Sequence, residues 1–329
     1  MTILIAPLNW GLGHATRCAA LVREYIRQGH EVVLGGDGES LSWLKKTFPD
    51  VRTIDLAPLH LRYSRGKSQV WAMLRALPQL IRFTWMDEVC LNRLLATEHI
   101  DLVISDNRFG LYSRSTRCVY ITHQLWIRLP RFWRWLEPLF ARLHARIYNR
   151  YDEVWVPDWD TDAAQPSLSG MLGHLTLSDK RLALNVEHSK IKYIGPLSRF
   201  CGQQWDIASS PYCGYDTVAV LSGLEPQRSL LEETLTEQAV MSDERTLIVR
   251  GKIQEPFIEM HHGSVVKVTY LNDRDMAAAL TTCRRIICRS GYSSIMDLAA
   301  LGVLDKATLI PTPGQPEQEY LASISQIAN

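Results

Sequence analysis

The first 35 residues constrain this chain more than any other stretch. Thr2 to Leu8 is an unbroken apolar run that ends at Asn9-Trp10-Gly11-Leu12-Gly13. Such a run, closed by glycine, predicts a strand buried on both faces and then a tight turn. Cys18, Leu21, Val22 and Tyr25 recur at i, i+3, i+4 and i+7, with Gly29 as a stop, so a helix is predicted next. Glu31 to Gly35 reads as a second strand. Strand, glycine turn, helix and strand in so short a space make a βαβ unit. That unit requires a parallel sheet with right-handed crossovers.

The alternation continues along the chain. Further apolar strands are predicted at Asp101 to Ser105, Cys118 to Thr122 and Glu153 to Val156. Between Ile194 and Asp216 the sequence turns rich in Gly, Pro, Ser and Cys without periodicity, which marks a linker. Strands are then expected at Thr217 to Leu221, Thr246 to Val249, Val265 to Leu271, Ile286 to Cys288 and Thr308 to Ile310. Helices fall between them at Ser229 to Val240, Asp273 to Thr282 and Ser293 to Leu301. A chain of 329 residues suits two domains. The expected organisation is a doubly wound α/β domain at 1–195, a linker at 196–215 and a second such domain at 216–329. The two are expected to face each other across a cleft, with ligands at the C-terminal ends of the strands.

Charge excludes one class of partner. The 36 basic and 35 acidic residues nearly cancel, which argues against a duplex nucleic-acid binder. The halves differ, however: residues 1–157 carry 21 basic and 14 acidic side chains, and residues 158–329 carry 15 and 21. The basic half is therefore expected to face something anionic. Seven cysteines are scattered without a CxxC pair, as in a reduced, cytoplasmic chain. The N-terminus lacks the basic segment of a secretory signal, and no apolar stretch is long enough to span a bilayer.

Three glycine- and serine-bearing turns carry the candidate chemistry. Gly11-Leu12-Gly13-His14 lies between the first strand and the first helix, where backbone N–H groups favour an anion or a polar group. A nicotinamide-dinucleotide site would place a third glycine where Thr16 stands, although Asp37 partly mimics its ribose-binding acid. Ser222-Gly223-Leu224-Glu225-Pro226 ends the first strand of the second domain and suits phosphate oxygens. Arg289-Ser290-Gly291-Tyr292-Ser293 follows a strand and opens a helix, so free N–H groups and the helix dipole suit a diphosphate held without a metal. Asp297, about two turns in, has the two acceptors that a pair of vicinal hydroxyls needs. Pro311-Thr312-Pro313-Gly314-Gln315 precedes Gln318 and Glu319, which suit a sugar. The plainer reading of each is a structural turn or a helix cap.

Arg289-Ser290-Gly291, the six residues to Asp297, the proline-rich turn and Gln318-Glu319-Tyr320 resemble the C-terminal signature of glycosyltransferase family 28. That family includes the peptidoglycan N-acetylglucosaminyltransferase and diacylglycerol glucosyltransferases. Ser105-Asp106-Asn107-Arg108 and Glu225-Pro226-Gln227-Arg228 are similar to an uncharacterised bacterial and archaeal branch. The resemblance implies a GT-B architecture of two Rossmann-like domains and inversion at the anomeric carbon. The nucleotide-sugar donor, with UDP as the expected nucleotide, would be held by the C-terminal domain and the acceptor by the N-terminal one. No cofactor or metal is expected. By matching positions, Asp297 takes the ribose-binding carboxylate, shortened from glutamate, and the backbone near Leu271 and Asn272 faces the base. Gln315, Gln318 and Glu319 face the donor sugar, where a second glutamine is usual in place of Glu319. Residues 320–329 are too few for the long terminal helices usual in that architecture, so truncation is also an expectation.

Transfer needs a base for the acceptor hydroxyl. His14 is the first candidate, with an ordinary pKa near 6.5; Asp106 is its rival and His123 a third. Arg289 has a better claim to structural pairing. Asp158-Trp159-Asp160-Thr161-Asp162 has the spacing of a metal-diphosphate motif but reads more simply as a solvated turn. From Leu125 to Tyr151, six arginines interleave with Trp126, Phe132, Trp133, Trp135 and Phe140, and Trp71, Met73, Trp85, Arg75 and Arg82 form a second such segment. Together they suit a peripheral contact with an anionic membrane on its inner face and a lipid-linked or glycan acceptor; the plainer reading is a core helix with snorkelling arginines. The competing functional readings are a sugar-nucleotide-binding module without turnover, a sugar-nucleotide epimerase and an NAD-dependent oxidoreductase.

Overall fold

A computed structural model describes residues 1–9, 11–58, 69–125, 127, 129, 131–158, 190–223, 225–253 and 255–325. Contacts divide the chain into two compact units, residues 1–10 with 14–197 and residues 11–13 with 198–329.

The first unit is built on a seven-stranded sheet: β1 (Thr2–Pro7), β2 (Glu31–Gly36), β3 (Arg52–Asp55), β4 (Leu102–Asp106), β5 (Arg117–Ile121), β6 (Glu153–Val156) and β7 (Ile191–Tyr193). Its order is β3-β2-β1-β4-β5-β6-β7, and every pair is parallel. Helices α1 (Leu12–Arg27), α2 (Gly38–Thr47), α3 (Gln69–Thr97) and α4 (Glu137–Tyr148) cross between strands. The apolar runs form the strands because both faces of a parallel sheet are covered. Leu4, Val33, Val103, Tyr120 and Val154 all lie in one core with Leu91 of α3 and Tyr148 of α4. Strand order reverses between β1 and β4, where Pro7 pairs with Asp106 at the C-terminal ends. Doubly wound sheets bind ligands at such a reversal.

The second unit holds β8 (Thr217–Val220), β9 (Thr246–Val249), β10 (Glu259–His262), β11 (Val265–Val268), β12 (Arg285–Arg289) and β13 (Ala307–Ile310) in the order β10-β11-β9-β8-β12-β13. Only β10 runs antiparallel to its neighbour. Its helices are α5 (Gln227–Val240), α6 (Asp273–Thr282), α7 (Tyr292–Ala300) and α8 (Pro316–Ser325). Leu231 and Leu235 of α5 pack on Ala219, Ile248 and Val265 of the central strands.

A buried ion network ties β4 to its surroundings. Arg108 has no exposed surface; it donates to Asp37 at 2.7 Å, to both oxygens of Asp87 at 2.7 and 3.2 Å, and to the Ala57 carbonyl at 2.7 Å. The Phe83 ring lies 4.8 Å from the guanidinium. Asp37 is thus held by Arg108 and, at 3.2 Å, by the Asn9 amide, which corrects its reading as an imitation of a ribose-binding acid. Burial pushes the Asp87 carboxyl up to about 6 despite Arg108 beside it. Gly110 cannot carry a side chain, because a Cβ there would meet the Thr84 carbonyl of α3 at 1.9 Å. Arg108→Met would strand two buried carboxylates and is expected to cost about 3–5 kcal/mol in urea denaturation at pH 8. The loss should shrink toward pH 5, where Asp87 carries its proton; equal losses at both pH values would contradict the pairing.

Candidate active site

One part of the site grows out of the β1–α1 turn. Gly11 adopts φ +81°, a backbone that favours glycine, and α1 begins at once, with Gly13 and His14 in its first turn. Helical spacing puts Arg17 one turn beyond His14, on the face turned to the end of β4. There Asp106, wholly buried, receives Arg17 Nε at 2.6 Å on one oxygen and a terminal Arg17 nitrogen on the other. His14 Nδ1 lies 3.0 Å from the second oxygen, and Cys18 Sγ lies 3.4 Å from the first. A further Arg17 nitrogen reaches His123 Nδ1, just past β5, at 3.0 Å.

Electrostatics follow from this packing. Burial alone would raise the Asp106 carboxyl, but Arg17 and then His14 outweigh it and hold the group well below the usual carboxylate range. His14 is pushed below its ordinary value, chiefly by burial and also by Arg17, while Asp106 pulls the other way. Burial, then Asp106, drives the Cys18 thiol well up, so it is not a thiolate. A neutral imidazole facing an ionised carboxylate places its proton on Nδ1 and leaves a lone pair on Nε2. Nε2 has no hydrogen-bond partner among the described residues, and the His14 side chain is 14% exposed. The arrangement can accept a proton from a hydroxyl.

His14 and Asp106 are therefore partners, not rivals. Asp106 pairs with Arg17 and not with Arg108, whose carboxylates are Asp37 and Asp87. Arg17 was not among the sequence candidates. Its signal was a cation one helical turn after His14, beside the buried Cys18, where an apolar residue would be ordinary.

The second unit gathers the expected donor residues around β8, β12 and β13. Ser222 and Gly223, the latter at φ +94°, follow β8. Glu225 accepts the Ser229 amide at 3.2 Å and Arg228 Nε at 3.0 Å, so a carboxylate already serves the start of α5 where a phosphate was expected. Arg289 ends β12 and gives its terminal nitrogens to the carbonyls of Pro311 and Gln227 at 3.1 and 2.8 Å. Ser290 Oγ donates to the Gln318 carbonyl at 2.8 Å. Gly291 caps α7 with extended backbone and without a side chain; Tyr292 and Ser293 lie in its first turn.

Asp297 is not solvated. It accepts Ser198 Oγ at 2.6 Å and Arg199 Nε at 3.2 Å, and Arg199 also reaches Asp273 at 3.2 Å. Asn272 caps α6 by accepting the Asp275 amide at 2.9 Å. Gln315 lies in the proline-rich turn, where its amide donates to the Thr312 carbonyl at 3.1 Å. Gln318 Oε1 accepts the Thr312 amide at 2.8 Å and Glu319 the Gly314 amide at 3.2 Å, so both bind the turn before α8. Asp160, Thr161, Asp162, Trp126, Arg128 and Leu224 lie outside the described residues, as do the side chains of Trp71, Met73, Arg75 and Arg131. Among the described residues no cluster could hold a metal ion, and no helix is long and apolar enough to cross a membrane.

No protein-family profile matches the chain. It is similar to two proteins of Methanosarcina acetivorans, each named an uncharacterised glycosyltransferase. One is 27% identical over 48% of this chain and 42% of its own length, so that match spans under half of the relative. The other is 23% identical over 98% of this chain and 83% of its own length. Among solved structures, CalG4, the calicheamicin glycosyltransferase, aligns over 98% of this chain and 83% of its own, with 14% identity and a TM-score of 0.59. LpCGTa in complex with UDP aligns over 99% and 82%, with 14% identity and a TM-score of 0.57. The chain has a GT-B fold. In that fold the His14–Asp106 pair stands at the end of the first strand of the N-terminal unit.

The pairing is open to direct titration. By NMR, His14 should titrate below the ordinary imidazole value of about 6.5, and Asp106→Asn should move it lower still, because Asp106 is what raises it. An upward move would refute the contact.

Proposed function

We propose that this protein is an inverting, metal-independent glycosyltransferase, a hexosyltransferase that uses a UDP-sugar and a glycan or lipid-linked acceptor. The observation that carries the reading is His14 paired with buried Asp106 at 3.0 Å, with Nε2 left to act as base. The GT-B fold, relatives named glycosyltransferases and a structural neighbour solved with UDP support it. The segments from Arg289 to Asp297 and Gln318 to Tyr320 add kinship with family 28 to the same reading.

The chemistry is a single displacement. His14 Nε2 takes the proton of the acceptor hydroxyl, whose oxygen bonds to C1 of the donor sugar as the bond from C1 to the diphosphate oxygen breaks. The electron pair leaves with the nucleoside diphosphate, and attack from the opposite face inverts C1. Asp106 stabilises the imidazolium that forms. In this reading the nucleoside diphosphate is held at the start of α7, where the helix dipole favours an anion, so no metal is called for. Asp297 would hold the ribose in exchange for, or beside, Ser198 and Arg199.

His14→Ala should lower turnover of UDP-sugars about 10²–10⁴-fold with UDP affinity little changed and no effect of EDTA. Asp297→Ala should instead weaken UDP binding by about 1.5–3 kcal/mol, the worth of hydrogen bonds to a charged group. Unaltered turnover in the first variant would remove His14 as base, and loss of activity in EDTA would remove metal independence.

The acceptor class rests on a separate surface. Phe132, Trp135, Leu139 and Leu143 are 83, 72, 51 and 43% exposed, and Arg134, Arg142 and Arg146 are exposed among them. Apolar side chains ringed by arginine suit the headgroup region of an anionic inner leaflet, where a lipid-linked acceptor would lie. Phe132→Ser with Trp135→Ser should lower partition onto phosphatidylglycerol vesicles about tenfold or more. Equal partition of the variant, or none by the parent chain, would sink this part.

A further inference from the structure

The guanidinium of Arg17 touches every other candidate group of the first-unit cluster. It holds both oxygens of Asp106, lies 3.0 Å from His123 Nδ1 and lies 2.9 Å from His14 Nδ1. A guanidinium has five donors and no acceptor. The His123 nitrogen that faces it must therefore carry a lone pair, which places the His123 proton on Nε2. His14 Nδ1 has two neighbours with opposite demands, the Asp106 oxygen at 3.0 Å and the Arg17 nitrogen at 2.9 Å. The carboxylate prevails, because of the two neighbours it alone can accept the ring proton, and it is ionised. A lone pair on Nδ1 would instead face an ionised oxygen with no proton between them.

We infer that Arg17 is a positioning residue that sets the two imidazoles in opposite tautomers, His14 through the clamped Asp106 with its proton on Nδ1, and His123 directly with its proton on Nε2. The two rings then differ in which nitrogen carries the proton, and His14 alone turns a basic Nε2 away from the cluster. The inference rests on the reading of His14 as base for its catalytic consequence, but the tautomers themselves do not.

Lysine in place of Arg17 has one ammonium and cannot hold two carboxylate oxygens and an imidazole nitrogen together. The charged and titratable groups that face His14 are Arg17 of its own helix, Asp106 of β4 and His123 beyond β5, with the Cys18 thiol on the far side of Asp106. Of these, Arg17 and burial lower its pKa, so loss of the guanidinium should carry the acid limb of the rate profile to higher pH.

The test is ¹⁵N-histidine NMR of the full chain without substrate, with His14→Gln and His123→Gln used to assign the signals. Opposite tautomers are expected, as stated. A proton on His123 Nδ1, or the same tautomer on both rings, would overturn the inference. Arg17→Lys should scramble the His123 tautomer, lower kcat about 10–100-fold, as loss of the outer partner of a metal-bound imidazole does elsewhere, and leave donor KM unchanged; the charge-removing Arg17→Gln should in addition shift the acid limb upward. A folded Arg17→Lys chain unchanged in tautomer and kcat would equally overturn it. Should that variant fail to fold, the parent spectra decide. A chain with the expected tautomers and no transfer of any sugar would keep the positioning role and remove the reaction.

Discussion

A carboxylate with no exposed surface sits at the C-terminal end of β4, and it can remain ionised there only because Arg17 meets both of its oxygens. Removing two charges from water costs several kcal/mol each, and an ion pair recovers that only when the geometry is good and the remaining lone pairs are satisfied. Asp106 meets that condition with Arg17, His14 and Cys18 around it. The parallel pairing of β1 with β4 brings these groups together, because it sets Pro7 opposite Asp106 and starts α1 directly beyond.

The same turn resolves a second charge. Two residues after Asp106, Arg108 is buried among Asp37, Asp87 and the Ala57 carbonyl, so acid and base from one tetrapeptide enter separate networks. Asn107 between them adopts φ 58°, the left-handed backbone that a short polar side chain tolerates, and its amide oxygen accepts the Tyr120 hydroxyl at 3.0 Å. Ser105 Oγ and the Tyr151 hydroxyl both donate to the Arg108 carbonyl, at 2.6 and 3.0 Å. The turn is thus held from its backbone as well as from its charges, and Asp106 is not free to choose another partner.

In the second unit many of the expected polar groups are engaged with the protein itself. Glu225 serves α5, Gln318 and Glu319 bind the proline-rich turn, and Asp297 meets Ser198 and Arg199. The start of α7 differs, because its N-cap is Gly291, which brings no side chain to the helix end.

The runs of β1, β2, β4, β5, β6, β8, β9, β11, β12 and β13 were legible in the sequence, since a strand covered on both faces is largely apolar. The strands that escaped it are β3, β7 and β10, and each is the edge of its sheet, where Arg52, Lys192 and the histidines of β10 meet solvent without penalty. His14, Asp106 and His123 were readable as candidates because each follows a predicted strand. Their relation was not, since residues 14, 106 and 123 share no periodicity, and only the strand order places them around Arg17. Sequence by itself determined the alternation of strand and helix, because burial selects residue type one position at a time. Tertiary structure alone decided which carboxylate meets which cation, because in a buried network pairing depends on distances of 2.6 to 3.2 Å between residues far apart in the chain.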